Sequence, residues 1–272
     1  MRGLLIYDKA GAERNEWFIN RLIKCAKAQE CDLELVIHPE ETDGALKKSV
    51  DFVIVRTICP HLGVKAAHLN ISAFNNYLTS YVANDKWKSY VLSEKLGIAV
   101  MDTYKVSSAE EAMAALPFPF VLKAVDGHGG SGVFLVNNAE ECKQTMSLLI
   151  NKEVIAQKLC DEPGVDMRVY VMGDRILAAV KRTSNTDFRS NFSLGGSAEL
   201  SKPTHDMIEA INKLKGSLSF DFVGVDFIRN NGRWVLNEIE DVVGTRMLYS
   251  LTDIDAADEY VRYIIERIKS KV

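Results

Sequence analysis

The chain has 272 residues, 47% hydrophobic and 26% charged, a globular composition with enough apolar material for a packed core. A formal net charge of −4 argues against any general affinity for nucleic acid or an anionic membrane surface. The five cysteines (Cys25, Cys31, Cys59, Cys142, Cys160) are an odd number without a C-x-x-C pair, which argues against a disulfide framework or a zinc site and reads as reduced thiols.

The apolar part of residues 1–8 is too short for a signal peptide, and no apolar run approaches the length of a membrane span, so the expected location is the cytoplasm. Residues 4–7, 33–37 and 52–55 are short apolar strands, and residues 16–29 have a helical pattern. Strands alternating with helices predict a small parallel α/β unit ending near residue 81. Residues 85–96 form a helix closed by Gly97. The texture then changes. Strands are predicted over 120–125 and 133–136, and over 154–159, 167–172 and 176–182 in a mostly antiparallel sheet, with a tight turn at Gly173-Asp174. Residues 139–149 and 205–216 are helical, residues 223–229 and 234–239 form a hairpin, and residues 255–269 form an amphipathic helix.

Gly127-His128-Gly129-Gly130-Ser131-Gly132 matches G-x-G-x-x-G. A dinucleotide fold needs a helix directly after that loop, whereas Val133-Phe134-Leu135-Val136 is strand-like. No G-x-x-x-x-G-K-[ST] occurs, and neither H-R-D nor D-F-G follows as a kinase would require. A glycine loop between two strands is either a phosphate-covering flap with free N–H donors or a plain surface hairpin. Lys123 on the entering strand favours the flap, though a lysine there also suits a strand with one face in water.

The hairpin at 223–241 carries Asp226, Glu238, Glu240 and Asp241. Glu238 and Glu240 share a strand face. A two-residue Asn231-Gly232 loop pairs Asp226 with Asn237 and turns it to the other face; a three-residue loop from Asn230 pairs it with Leu236 and brings the three together. The three-residue loop is the expectation. Such a cluster suits Mg²⁺; an exposed acidic sheet edge is the plainer alternative.

The order of lysine strand, glycine flap, Asp187-Phe188-Arg189-Ser190-Asn191 and Asp226…Glu238-x-Glu240 resembles the ATP-grasp superfamily, and within it the RimK-like ligases, from about residue 84 to 244. The resemblance implies an α+β ATP-grasp fold: an N-terminal α/β domain over 1–84, a lid with the flap over 85–158, and a C-terminal antiparallel part with the metal site over 159–272. It implies ATP and two Mg²⁺ or Mn²⁺ ions. Lys86 and Lys123 are then nucleotide lysines, Lys123 reaching the phosphates beneath Gly129, Gly130 and Ser131. The backbone at Gln157, Lys158 and Leu159 faces adenine, and Asp166 holds the ribose. Arg189 meets the transferred phosphate, Asn191 sits beside the metals or substrate, and Asp226, Glu238 and Glu240 bind metal. Lys158-Leu159 stands where the family has Glu and an aromatic residue, Glu240 where it has Asn, and Asp241-Val242-Val243-Gly244-Thr245-Arg246 where it has Ser-Pro-Gly.

The implied reaction joins a small-molecule or peptide carboxylate to an amine through an acylphosphate, releasing ADP and phosphate, with Lys123 and Arg189 stabilising the moving phosphoryl group. Arg56, Arg168, Arg182 and Arg246 are candidates for holding a substrate carboxylate. Homo-oligomers are usual among look-alikes. Two other readings are an ATP-binding regulatory protein of the same fold without ligase activity and a phosphotransferase that stops after phosphorylation.

Overall fold

The computed structural model describes residues 1–184, 187–189 and 196–270. Its first sheet is parallel, with β1 (Arg2–Asp8), β2 (Asp32–His38), β3 (Phe52–Val55) and β4 (Ser72–Phe74) in the order β2-β1-β3-β4. Leu4, Leu5, Ile6 and Tyr7 are fully buried, so β1 is covered on both faces and reads as an unbroken apolar run. The helix Glu16–Ala28 buries Phe18, Ile19 and Leu22, one apolar stripe at helical spacing. Of these four strands β4 was not predicted, having three residues and so no periodicity; nor were the strands at Thr103–Val106 and Ser197–Ser201.

The second sheet is antiparallel: β5 (Thr103–Val106), β6 (Phe120–Ala124), β7 (Val133–Val136) and β8 (Val154–Lys158) lie in the order β5-β8-β6-β7. The expectation grouped 154–159 with 167–172 and 176–182; the structure instead places 154–158 in the sheet of 120–124. Phe120, Leu122 and Ala124 pack under the helices Ala109–Ala115 and Ala139–Leu148. Strand alternation then turns Val121 and Lys123 to the opposite face, where both line a cleft.

The third sheet has β9 (Val165–Met172), β10 (Arg175–Thr183), β11 (Ser197–Ser201), β12 (Phe222–Asn230) and β13 (Arg233–Glu240), in the order β11-β10-β9-β12-β13. Val169 and Val171 face the helix His205–Leu218, while Tyr170 and Met172 face the C-terminal helix Ala256–Lys269. That second core also takes in Leu5, Phe18 and Leu22, so the parallel sheet and the third sheet are joined through shared apolar packing. Among the described residues no helix is long and apolar enough to cross a membrane.

Candidate active site

The cleft lies between the second and third sheets, and its walls follow from strand parity. On β6, Lys123 is 9% exposed; it does not face water. Its Nζ donates to Gln157 Oε1 at 2.6 Å and Asn237 Oδ1 at 3.0 Å. Burial pulls its pKa down to about 8, with Lys86 nearby pushing the same way and Glu238 opposing. Both groups it bonds are neutral, so the ammonium has no carboxylate partner within ion-pair distance among the described residues. Lys86, at the start of the helix Lys86–Lys95, pairs with Glu238 at 3.3 Å and donates to the Gly127 carbonyl.

The acidic hairpin corrects the expected register. Its loop has two residues, Asn231 and Gly232, both with positive φ (51° and 70°), as a tight hairpin of this twist requires. Asn230 pairs with Arg233, and regular pairing runs back to Phe227 opposite Leu236. A β-bulge then absorbs Asn237, and Asp226 stands opposite Glu238. The three carboxylates do come together, through the bulge and not through a longer loop: their ligand oxygens lie within 4.8 Å of one another. The bulged Asn237 is the residue that reaches Lys123.

On the same face of the third sheet, Arg168 and Arg182 clasp these acids. Arg168 donates twice to Asp226, at 2.8 and 2.6 Å, and pairs with Glu240 at 2.7 Å. Arg182 donates twice to Asp166, at 2.6 and 2.5 Å, and once to Asp226 at 2.7 Å. Burial works against the Asp226 charge, but the two arginines hold its carboxyl at about 2. Burial likewise opposes ionisation of Glu238, and Lys86 and Lys123 keep it below the usual carboxylate range. Burial pushes Glu240 up, with Asp226 and Glu238 adding to the rise against the pull of Arg168. Crowded oxygen donors of this kind, one with raised proton affinity, fit a hard divalent cation.

These arginines are buried partners of acids within the site. Arg56 is buried too, donating to the Val243 carbonyl at 2.7 Å. Of the four arginines read as substrate clamps, only Arg246 is exposed.

The flap leaves β6 with Gly129, Gly130 and Gly132 at positive φ, conformations that glycine adopts without strain. Gly129 and Gly130 line the cleft, whereas Ser131 turns its hydroxyl back to the His128 carbonyl at 2.7 Å. Arg189 donates to the Gly130 carbonyl at 3.0 Å and is held by Asp187 at 2.7 Å, so it meets the flap from the opposite wall. The segment that carries it is pinned at Gly164, whose N–H donates to the Phe188 carbonyl at 2.7 Å and whose carbonyl accepts from Ser184 N–H at 2.8 Å. Gly164 has φ +81°, and a Cβ there would lie 2.6 Å from the Ser184 oxygen. The resemblance gives that glycine no role of its own. Asn191 lies outside the described residues.

Gln157, Lys158, Leu159 and Asp166 all line the cleft. The Lys158 N–H is already given to the Asp102 carbonyl at 2.9 Å, and the Gln157 side chain bridges Lys123 and Thr103. Val121, Val133, Phe188 and Ile228 complete the apolar lining and were not anticipated. Parity was the available signal for two of them: Val121 shares a face with Lys123, and Ile228 with Asp226.

The family model for the RimK-like ATP-grasp domain matches residues 83–264. An uncharacterized protein of Mycoplasma pneumoniae is 29% identical over 91% of this chain and 86% of its own length. A probable alpha-L-glutamate ligase of Histophilus somni is 31% identical over 74% of this chain and 69% of its own. In three dimensions, the D-alanine–D-alanine ligase of Bacillus anthracis complexed with ATP superposes with a TM-score of 0.77 at 15% identity, covering all of both chains. With lysine strand, glycine flap and carboxylate hairpin converging on one cleft within the matched span, the chain belongs to the RimK-like ATP-grasp family.

Proposed function

We propose that this cleft is where the chain carries out the ATP-dependent carboxylate–amine ligation of its family, through an acylphosphate. A carboxylate is unreactive toward amines because its oxygen leaves poorly. In the proposed sequence the carboxylate oxygen bonds to the γ-phosphorus of ATP as the bond to ADP breaks. The amine nitrogen then bonds to the acyl carbon, the bond to phosphate breaks, and the nitrogen gives up a proton. The products are an amide, ADP and phosphate.

The protein's part is positioning and charge compensation. Lys123 and Lys86 lie under the phosphate chain, and Lys123, bonded only to neutral acceptors, turns onto it at least cost. Arg189 meets the transferred phosphoryl group and, through the Gly130 carbonyl, ties its own wall to the flap. The flap excludes water from the acylphosphate. Val121, Val133, Leu159 and Ile228 offer apolar surface for the base. Asp226, Glu238 and Glu240 are the residues to hold Mg²⁺, which when bound neutralises phosphate charge. The division at residues 84 and 158 is proposed on the same basis, because it separates the three sheets.

The observation that carries this reading is the placement of Lys123 and Glu238 in one cleft beneath the flap. The test is release of ADP and phosphate from Mg-ATP with pooled acids and amines. Lys123→Ala and Glu238→Ala are expected to lose at least about 100-fold in turnover while keeping the wild-type circular dichroism spectrum. Undiminished turnover in both variants would falsify the site assignment.

A further inference from the structure

A second cavity, of about 790 Å³, adjoins the cleft and shares Gly129 and Arg182 with it. Its volume lies within the roughly 300–1,000 Å³ usual for small-molecule sites. The two ends differ in character. The inner end carries Glu240 of the acidic hairpin together with Arg168, which pairs with it at 2.7 Å, and Arg182. The outer end carries Arg14 and Arg246, which touch one another only through a 3.5 Å bond from Arg246 Nη2 to the Arg14 carbonyl. Among the described residues neither guanidinium is in an ion pair, in contrast to the clasped Arg168 and Arg182. Between the ends the wall is apolar. Trp17 is 60% exposed and meets Tyr249 edge to face at 4.7 Å, with Met247 alongside.

A large ring left in water on a cavity wall is an unfilled contact surface. Free guanidinium groups match a carboxylate in bidentate geometry. Gly244, Thr245 and Arg246, within the stretch that departs from the family's Ser-Pro-Gly, line this cavity.

We infer that this cavity binds the amine substrate, and that the substrate is an α-amino acid with an aromatic or large apolar side chain and a free α-carboxylate. The amino group points to the inner end and the reacting centre, the carboxylate lies on Arg14 and Arg246, and the side chain lies on Trp17 and Met247. The inference rests on the ligase reading for the identity of the adjoining cleft; the binding it describes is measurable without turnover.

The test is calorimetric titration of the full chain, with Mg²⁺, ADP and phosphate present, using L-phenylalanine, L-phenylalaninamide and L-glutamate as probes. L-Phenylalanine is expected to bind most tightly. Loss of its carboxylate in the amide, or Arg246→Ala, is expected to weaken binding about 10- to 100-fold. Trp17→Ala is expected to weaken L-phenylalanine but not L-glutamate. A structural role for Arg246 would lower the melting temperature without discriminating acid from amide, so the discrimination is the decisive readout. No binding of L-phenylalanine, equal binding of the amide, or tighter binding of L-glutamate overturns the inference. Selective L-phenylalanine binding with no ATP turnover in any acid–amine pool overturns the ligase reading and leaves the cavity's ligand class standing.

Discussion

Replacing Asp226 by Asn tests the ion-pair lattice and the metal reading together. Asp226 is 2% exposed and accepts three arginine hydrogen bonds, at 2.8, 2.6 and 2.7 Å. Asn keeps the shape but sets an amide N–H₂ against guanidinium donors. Removing one partner from a buried ion pair costs about 3–5 kcal/mol. Arg182 retains Asp166 and Arg168 retains Glu240, which places the expected loss near the lower bound, about 3 kcal/mol. With an unfolding entropy of about 2.1 cal/mol/K per residue, that lowers the melting temperature of this chain by about 5 °C. Circular dichroism melts at neutral pH without divalent ions measure it. Mg-ATP at a hundredfold excess over its dissociation constant adds about 2.7 kcal/mol to the wild type, and nothing comparable to the variant, so the gap widens to about 10 °C. The sign with pH follows: the folded carboxyl titrates near 2, below its ordinary 3.8. Its contribution is therefore complete at neutral pH and fades as pH falls from about 4 toward 2. A variant that melts with the wild type without ligand refutes the lattice; one stabilised equally by Mg-ATP refutes the metal assignment.

On the proposed reading, Lys123, whose pKa burial pulls down to about 8, must be protonated to serve a phosphate, so nucleotide binding is expected to take up a proton above that pH. Mg-ADP affinity is expected to fall on the order of thirtyfold between pH 7 and 9.5, and titrations with Lys123→Gln should lose that slope. Gly164→Ala places a left-handed alanine, costing about 1–2 kcal/mol, against the Ser184 and Asp187 carbonyls at 2.6 and 2.9 Å. Steady-state kinetics should show kcat/KM down at least about tenfold from displacement of Arg189, with an unchanged far-ultraviolet spectrum. Chelation of divalent ions is expected to weaken ATP binding at least about tenfold, equivalent to 1.4 kcal/mol; calorimetry with and without EDTA decides it.

Much of this site is written in local pattern. The unbroken apolar run of β1, the helix closed by Gly97, and the lysine and glycines around the flap are all features of single segments. The register of the acidic hairpin is not. Asn231-Gly232 correctly signals a two-residue turn, and parity then sends Asp226 to the wrong face; only the bulge at Asn237 restores it. A bulge leaves no mark in hydrophobic alternation, because it is stabilised by what the bulged residue reaches, here Lys123 from another sheet. The partners of Arg168 and Arg182 were illegible for the same reason. Arg168 meets its acids 58 and 72 residues downstream, on β12 and β13. Gly164 states a need for positive φ, but the carbonyls that crowd it belong to a loop some twenty residues away.

The balance of charge in the cleft gives the extra carboxylate at Glu240 a physical meaning. Asp166, Asp226, Glu238 and Glu240 supply four negative charges; Lys86, Lys123, Arg168 and Arg182 supply four positive ones. These eight groups sum to zero, and each of the four acids is bonded to a cation. On the proposed reading, ATP with two Mg²⁺ is also neutral, so its binding would conserve charge, with the hairpin carboxylates available to metal and Lys86 and Lys123 to phosphate. With Asn at position 240 the same site would hold a net positive charge and attract bare nucleotide. On the same reading Glu240, held at 2.7 Å by Arg168, would lower that excess when ionised and so favour the metal-loaded nucleotide over the free one.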